Sequence, residues 1–600
     1  MSGGKLAIDI GARFADFASW DEAGLRVAKR PVAGSLAEVV LAGIHALSLD
    51  LSTLEELRLV TTAPLNALLA RQAAPVALVT TRGFGDTLRL GRQNRAALYD
   101  PVARSPAPAF LVDPALVFET GGRMDAAGQE VEPFDEAGLA EVIAALRAAR
   151  VEAVAVCYLF AHLAPQHELR AAAMLRAALP DLRVSLSHQV DPGPREYERT
   201  VSVMLDAWLA ATSAHEVTGL RRALAERGFA GALLLGEGRG VLVPDDSFDL
   251  HRSVLLTGAP AAAARAGSAL QDAPLVLAMD IGSRSADISM LRDGAPVAVE
   301  QGRIAGVPLR VPTLDMASLS LGGAQTLSCG PRGLVFGAGV EAGETPVLDD
   351  ALSVLGWLDA PREGAEARLA ALRPGAEAEQ TARAAVQAAA DLAALELTRY
   401  ATRRNVDPTR AQLMLMGGCG ALLAAEIAQA MGLDRVALPA APGVAGALGL
   451  ALAPQRAEAR RQMDQPLTGW DDAGLDDLLD TLAREGGGAE VLTFTLAPLR
   501  QMHPMPLVLG ARPASVAALV ETFAGAYRAA YGIAPPGPGH LFAVAVHHDR
   551  ADALPAPATP AGAAVEGPAL HDTAAGRIRV PEGWRLIPGA ATCLLERISR

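Results

Sequence analysis

Cysteine is nearly missing from this sequence, and the little there is lies scattered. Cys157, Cys329, Cys419 and Cys593 are the four in 600 residues, and none belongs to a C-x-x-C pair. Neither a disulfide framework nor a zinc knuckle is suggested, and a reducing, cytoplasmic compartment fits. Positive charge is also in deficit: 53 Lys and Arg against 67 Asp and Glu leave a formal charge of -14. A protein that grips a phosphate backbone needs clustered cations to displace counterions, so nucleic acid is not an expected partner. The N-terminal residues show no basic stretch followed by an apolar run and a small-residue cleavage site, so nothing there is expected to direct export. An unbroken membrane-length apolar run is missing too. Residues 436–454 carry no charge, but Pro439, Pro442 and Gly443 interrupt them, and the stretch reads as a buried strand, a turn and a helix start.

What the chain has in abundance is apolar surface to bury. With 51% hydrophobic and 20% charged residues, a chain of this length divides into roughly three or four domain-sized units. Short runs rich in Val, Ile and Leu alternate with longer amphipathic Ala/Arg/Glu stretches: residues 151–157 predict a buried strand, and 167–179 have helical spacing. Such alternation indicates an α/β chain built from βα units around mostly parallel sheets. Boundaries are expected near Asp191-Pro-Gly-Pro194 and Ala453-Pro454, dividing the chain into 1–194, 195–454 and 455–600. Residues 361–379, charged and alanine-rich, read as an exposed helical connection, and proline-rich 554–560 as a linker or long surface loop.

The most informative feature is an internal echo. Asp9-Ile-Gly-Ala-Arg-Phe-Ala-Asp16 and Asp280-Ile-Gly-Ser-Arg-Ser-Ala-Asp287 share the pattern D-I-G-x-R-x-A-D, and each lies between two apolar runs. Each predicts a β-hairpin with a glycine-bearing turn flanked by carboxylates. Two such hairpins about half a chain apart imply two related lobes. A third glycine-rich turn, Gly417-Gly418-Cys419-Gly420, follows the apolar run 413–416. Glycines there let the backbone approach a ligand closely. Two D-I-G hairpins followed by this turn resemble the phosphate, phosphate and adenosine elements of the actin, hexokinase and heat-shock chaperone superfamily. That resemblance implies a duplicated, ribonuclease-H-like core, the actin-like ATPase fold, with a cleft between its lobes.

Further motifs extend the likeness. After the first hairpin come Thr61-Thr62-Ala-Pro-Leu-Asn66, then 79–86 and 90–100; beyond them stand Arg195-Glu-Tyr-Glu-Arg199-Thr200, Val311-Pro-Thr-Leu-Asp315, Pro442-Gly443-Val-Ala-Gly-Ala-Leu-Gly449 and Val580-Pro-Glu-Gly-Trp584. Together these resemble the A-type chain of the hydantoinase/oxoprolinase family, with residues 1–194 as its N-terminal lobe, 195–454 as its core and 455–600 as a C-terminal α+β region. The resemblance implies an ATP-dependent hydrolase of cyclic amides of hydantoin, 5-oxoproline or lactam type, or a related carboxylase acting on a ketone. A poor leaving oxygen is activated in such chemistry by a phosphoryl group, with ATP and Mg²⁺ as cofactors and a B-type chain or a second copy as partner. Carried over, Asp9, Asp16, Asp280 and Asp287 become the catalytic carboxylates, with Asp9 and Asp280 on the metal. Gly11, Arg13, Gly282 and Arg284 fall at the two phosphate turns, and Gly417, Gly418 and Gly420 line the adenosine side. As local turn chemistry, the same carboxylates would cap neighbouring N–H groups.

The turns depart from the family pattern D-x-G-G-T-x-T-D in one consistent way. The second glycine is Ala12 or Ser283, and the two threonines are Arg13 and Ala15, or Arg284 and Ala286. Both hairpins therefore lack the same hydroxyls and carry the same cation. Either the arginines neutralise a bound anion directly, as guanidinium forks do, or they fill the phosphate and magnesium space. The second case implies a catalytically reduced assembly or regulatory subunit; an actin-like filament protein is a more distant reading. His547-His548 lies on a strand-like run whose neighbours point to opposite faces, so a shared metal ion is not expected. Cys419 reads as a small apolar filler of its turn.

Overall fold

The computed structural model describes residues 4–598, apart from 73, 95–98, 101, 103–107, 247–251, 271–272, 300–301, 305, 332, 338–344, 360, 487, 489–490, 499–500, 502–503 and 552–561. The proline-rich stretch expected to be a linker falls in the last of these gaps.

Each repeated motif folds as the hairpin its pattern predicts. Strand Gly4–Ile10 pairs antiparallel with Phe14–Asp21, and Leu275–Ile281 pairs antiparallel with Ala286–Arg292. Side chains alternate between faces along a strand. Leu6, Ile8 and Ile10 accordingly enter one apolar core while Ala7 enters another; Leu277, Met279 and Ile281 are likewise separated from Ala278.

Around each hairpin the sheet has the same order. In the first, Gly24–Pro31, Phe14–Asp21, Gly4–Ile10, Leu54–Thr61 and Ala232–Gly236 lie side by side; in the second, Ala295–Pro296, Ala286–Arg292, Leu275–Ile281, Gln412–Met416 and Arg435–Pro439 do. Both read third, second, first, fourth, fifth, with the fourth strand parallel to the first. This repeat is the duplicated α/β core of the actin-like ATPases. A separate four-stranded parallel sheet, Arg183–Leu186, Ala153–Cys157, Val76–Thr81 and Val117–Thr120, is formed by residues that leave the first lobe after Thr61.

Two alanine-rich helices, Gly258–Arg265 and Ala445–Leu452, cross between the lobes. A Cβ on Gly449 would stand 1.8 Å from the Ala262 carbonyl oxygen, so the crossing requires glycine there. The final quarter of the chain is shared between the sheets. Gln455–Pro466, Gly539–Arg550, Val491–Pro498 and Met505–Leu509 extend the first, whereas Thr592–Arg597, Trp584–Ile587 and Val565–Glu566 extend the second. The unit read as 455–600 thus belongs structurally to both lobes. Among the described residues no helix is long and apolar enough to cross a membrane.

Candidate active site

Strand alternation determines where the carboxylates go. Asp9 lies on the face of Ala7, and Asp280 on the face of Ala278, and these are the faces that pack toward the crossing helices. Across each hairpin the register pairs Asp9 with Asp16 and Asp280 with Asp287. The turns close alike: the Gly11 N–H donates to the Phe14 carbonyl at 2.9 Å, and that of Gly282 to the Ser285 carbonyl at 3.1 Å.

A glycine stands against each leading carboxylate. A Cβ on Gly446 would lie 1.8 Å from Asp9 Oδ2, and one on Gly417 would lie 2.4 Å from Asp280 Oδ1 and equally close to the Ile281 carbonyl oxygen. Gly417 also has φ +79°, a backbone angle that favours glycine. Gly420 packs against Ile281, while Gly418 is exposed. The third glycine turn therefore touches the second hairpin directly.

The carboxylates of the two hairpins sense one another across the cleft. Asp9 is pushed well above the usual carboxylate range, first by burial, then by the charges of Asp16 and Asp280, with Lys29 opposing. Asp280 is raised to about 7 by burial, then by Asp287 and Asp16, again with Lys29 opposing. Burial also raises Asp16 and Asp287; Lys29 moderates the first shift and a Ser318 hydrogen bond the second. Asp9 Oδ1 is buried without a hydrogen-bond partner.

Lys29 is the residue that sequence reasoning missed. Its Nζ donates to Asp16 Oδ1 at 2.6 Å and to the Gly443 carbonyl oxygen at 2.7 Å. One ammonium thus joins the first hairpin to the segment that begins the second crossing helix. A signal was present: the Asp21–Gly24 turn fixes the register of the third strand, and counting back along it puts Lys29 opposite Asp16.

The second hairpin turn is covered differently. Residues 322–325 lie on it, with N–H groups of Gly323 and Ala324 donating to the Gly282 and Ser283 carbonyls. Asp349 packs against Gly323; burial raises its pKa and Arg13 opposes that rise across the cleft. Arg13 and Arg284 are exposed at the hairpin tips, and Arg13 stands 5.8 Å from the centre of the Phe14 ring. Lys29 is ion-paired to the hairpin carboxylate of Asp16.

Cys419 is buried and its thiol is pushed far up, first by burial and then by Asp349, so it stays protonated and fills space. His547 is buried on strand Gly539–Arg550, and its neighbour His548 is partly exposed. Among the described residues no group of three or more His, Cys, Asp or Glu is arranged to hold a metal ion.

Comparison with known proteins follows the same outline. Residues 5–179 match the hydantoinase/oxoprolinase N-terminal region and residues 199–459 match hydantoinase/oxoprolinase. An uncharacterized protein of Methanocaldococcus jannaschii is 26% identical over 534 residues, 81% of this chain and 78% of that one. The caprolactamase subunit alpha of Pseudomonas jessenii is 29% identical over 382 residues, 59% of this chain and 54% of its own length. This chain therefore aligns with about half of that subunit. The nucleotide-free structure of acetone carboxylase, an enzyme of ATP-dependent acetone carboxylation, superposes over 100% of both chains with a TM-score of 0.81 at 18% identity, a likeness of fold.

Proposed function

The chain belongs to the hydantoinase/oxoprolinase family, and on that premise we propose that it is the ATP-binding, A-type subunit of an enzyme that activates an amide or ketone carbonyl. The observation that supports this reading is the pair of facing hairpins, whose four carboxylates crowd one cleft. The residues fit a nucleotide and its metal. Asp9 Oδ1 is buried with an acceptor to spare, and Gly417 and Gly446 let the backbone come up against the leading carboxylates.

Asp9 and Asp280 would hold Mg²⁺, with the Gly11 and Gly282 turns beside the phosphates and Gly417, Gly418 and Gly420 toward the nucleoside. ATP, when bound, supplies the phosphoryl group that makes a carbonyl oxygen a competent leaving group, and Mg²⁺ offsets the charge on it. Asp280, raised to about 7 in the metal-free site, would give up its proton on taking the metal. Lys29 moderates the rise that burial imposes on Asp16 beside it, and Arg13 and Arg284 offer guanidinium forks at the rim. A cyclic amide or ketone is the substrate class, and a B-type chain or a second copy the partner.

Calorimetric titration of ATP with and without Mg²⁺ tests the reading. Binding that tightens with Mg²⁺ is expected; no binding in either titration would favour a second reading, an assembly subunit with reduced catalysis. The Lys29–Asp16 ion pair among the carboxylates speaks for that alternative. Light scattering on native material is expected to show a heteromer or homo-oligomer.

A further inference from the structure

A cavity of about 720 Å³ lies away from the hairpins. Strands Leu242–Pro244 and Gln455–Pro466 pair at the single position Leu242–Gln455 and then part, and residues of both line the space between them. The Gly236–Gly240 turn at its edge follows strand Ala232–Gly236, two strands from Gly4–Ile10 and parallel to it. The cavity thus begins on the same sheet edge as the first hairpin turn.

Its wall reverses the charge of the chain. Arg239, Arg310, Arg456, Arg460 and Arg550 line it against three glutamates, in a protein of formal charge -14. The guanidinium groups are held in place from behind. Arg456 makes two bonds of 2.7 Å to Asp549, and Arg239 bridges Glu237 and Glu458. Arg310 donates to the Pro194 carbonyl at 2.8 Å and lies 3.4 Å from Asp191. A Cβ on Gly193 would fall 2.0 Å from Arg310 Nη2, so the missing side chain is what gives this guanidinium its place. Arg310, Arg460 and Gln462 also line an adjoining recess of about 40 Å³, whose wall includes Thr495. That threonine is 3% exposed, and its Oγ1 has no hydrogen-bond partner.

We infer that this two-part cavity binds a small organic molecule by its carboxylate, with the arginine wall taking the anion and Thr495 Oγ1 a neutral polar atom. The volume suits a small-molecule site, and planar guanidinium forks match a carboxylate. Resting on the proposed function, the molecule is the substrate, an acidic cyclic amide in preference to a neutral lactam.

The test compares 5-oxoproline with 2-pyrrolidinone, which differ by the carboxylate alone, by calorimetry on the full chain, with ATP titrated separately. 5-Oxoproline is expected to bind at least about tenfold more tightly, and either Arg310→Gln or Gly193→Ala to remove that preference. Gly193→Ala displaces Arg310 without changing charge, and retained ATP binding in either variant reports a folded chain. Equal binding of the two rings, binding of neither, or folded variants that keep the preference would overturn the inference. Loss of ATP binding in the unaltered chain, with 5-oxoproline still bound, would overturn the proposed function and leave the carboxylate site standing.

Discussion

In the first lobe the carboxylate opposite Asp9 is ion-paired: Asp16 accepts from Lys29, which also reaches the Gly443 carbonyl oxygen. In the second lobe the carboxylate opposite Asp280 meets a hydroxyl, since Asp287 accepts from Ser318. The turns of the two hairpins close through the same backbone bond, and their letters nearly coincide. Duplication has kept the backbone while charge compensation has become one-sided. A cation beside a carboxylate favours its ionised form, whereas burial without one favours the proton. Lys29 thus moderates the proton affinity of Asp16 in the first hairpin, while Asp280 in the second stands at about 7.

The largest effect that would sharpen this contrast is on turnover. Asp280→Asn is expected to lower ATP turnover by about 10³-fold, because it removes both a metal ligand and the group poised at about 7. Asp287→Asn, whose partner is a neutral hydroxyl, should cost about tenfold by the same assay. Equal losses would break the assignment of unequal roles. Next in size is stability. Gly417→Ala combines an unfavourable positive φ with a clash against the Ile281 backbone, and should destabilise by about 3 kcal/mol. Gly446→Ala meets the movable Asp9 side chain and should cost about 1 kcal/mol. Calorimetric melting of the two variants would reverse the ordering if the second hairpin were the more yielding one.

The likeness of the two hairpins was legible in the sequence, and the reason is locality. A hairpin is specified by period-two alternation and a glycine turn within eight residues, so Asp9–Asp16 and Asp280–Asp287 could be paired from the letters. Lys29 was legible as Asp16's strand partner but not as a bond to Gly443, 414 residues away, which exists only once the lobes are packed. The same limit applies to residues 455–600. The strand-like run before His547 was recognisable, yet which sheet each strand joins depends on long-range pairing that no local pattern encodes. Likewise the cavity gathers its arginines from four stretches of chain that no local pattern brings together.

A smaller effect concerns pH. Folded Asp280 holds its proton to about 7, while an unfolded aspartate releases it near ~4. Between those values the folded state binds more protons, so stability falls as pH rises from about 4 to about 7 and levels off above. Asp280→Asn cannot titrate. Its stability relative to the unaltered chain should therefore rise across that window, to a gain on the order of 2 kcal/mol at pH 7 after allowance for solvent in the cleft. Lys29→Met, which removes the opposing cation, should move the window upward. Melting temperatures measured in a series of buffers would show a pH-independent difference if the second hairpin held no proton.

The smallest expected effect lies at the tips, where the hairpins are most alike. Arg13 and Arg284 both stand exposed in place of the threonines of the family pattern. The carboxylate whose raised pKa Arg13 moderates across the cleft is Asp349, not Asp9, so the arginine leaves the proposed metal ligands to their task. Guanidinium groups at a solvent-exposed rim each contribute modestly to anion binding, and salt screens them. The double change Arg13→Thr with Arg284→Thr should accordingly weaken ATP binding by about fivefold at low ionic strength, with the difference shrinking as salt is added. Turnover per bound ATP should rise, because the restored hydroxyls would face the phosphates. ATP affinity that is equal or stronger in the double variant would show that the arginines do not serve phosphate. The likeness of the two tips would then be a shared occupation of the phosphate space, and the reduced-catalysis reading would replace the enzymatic one.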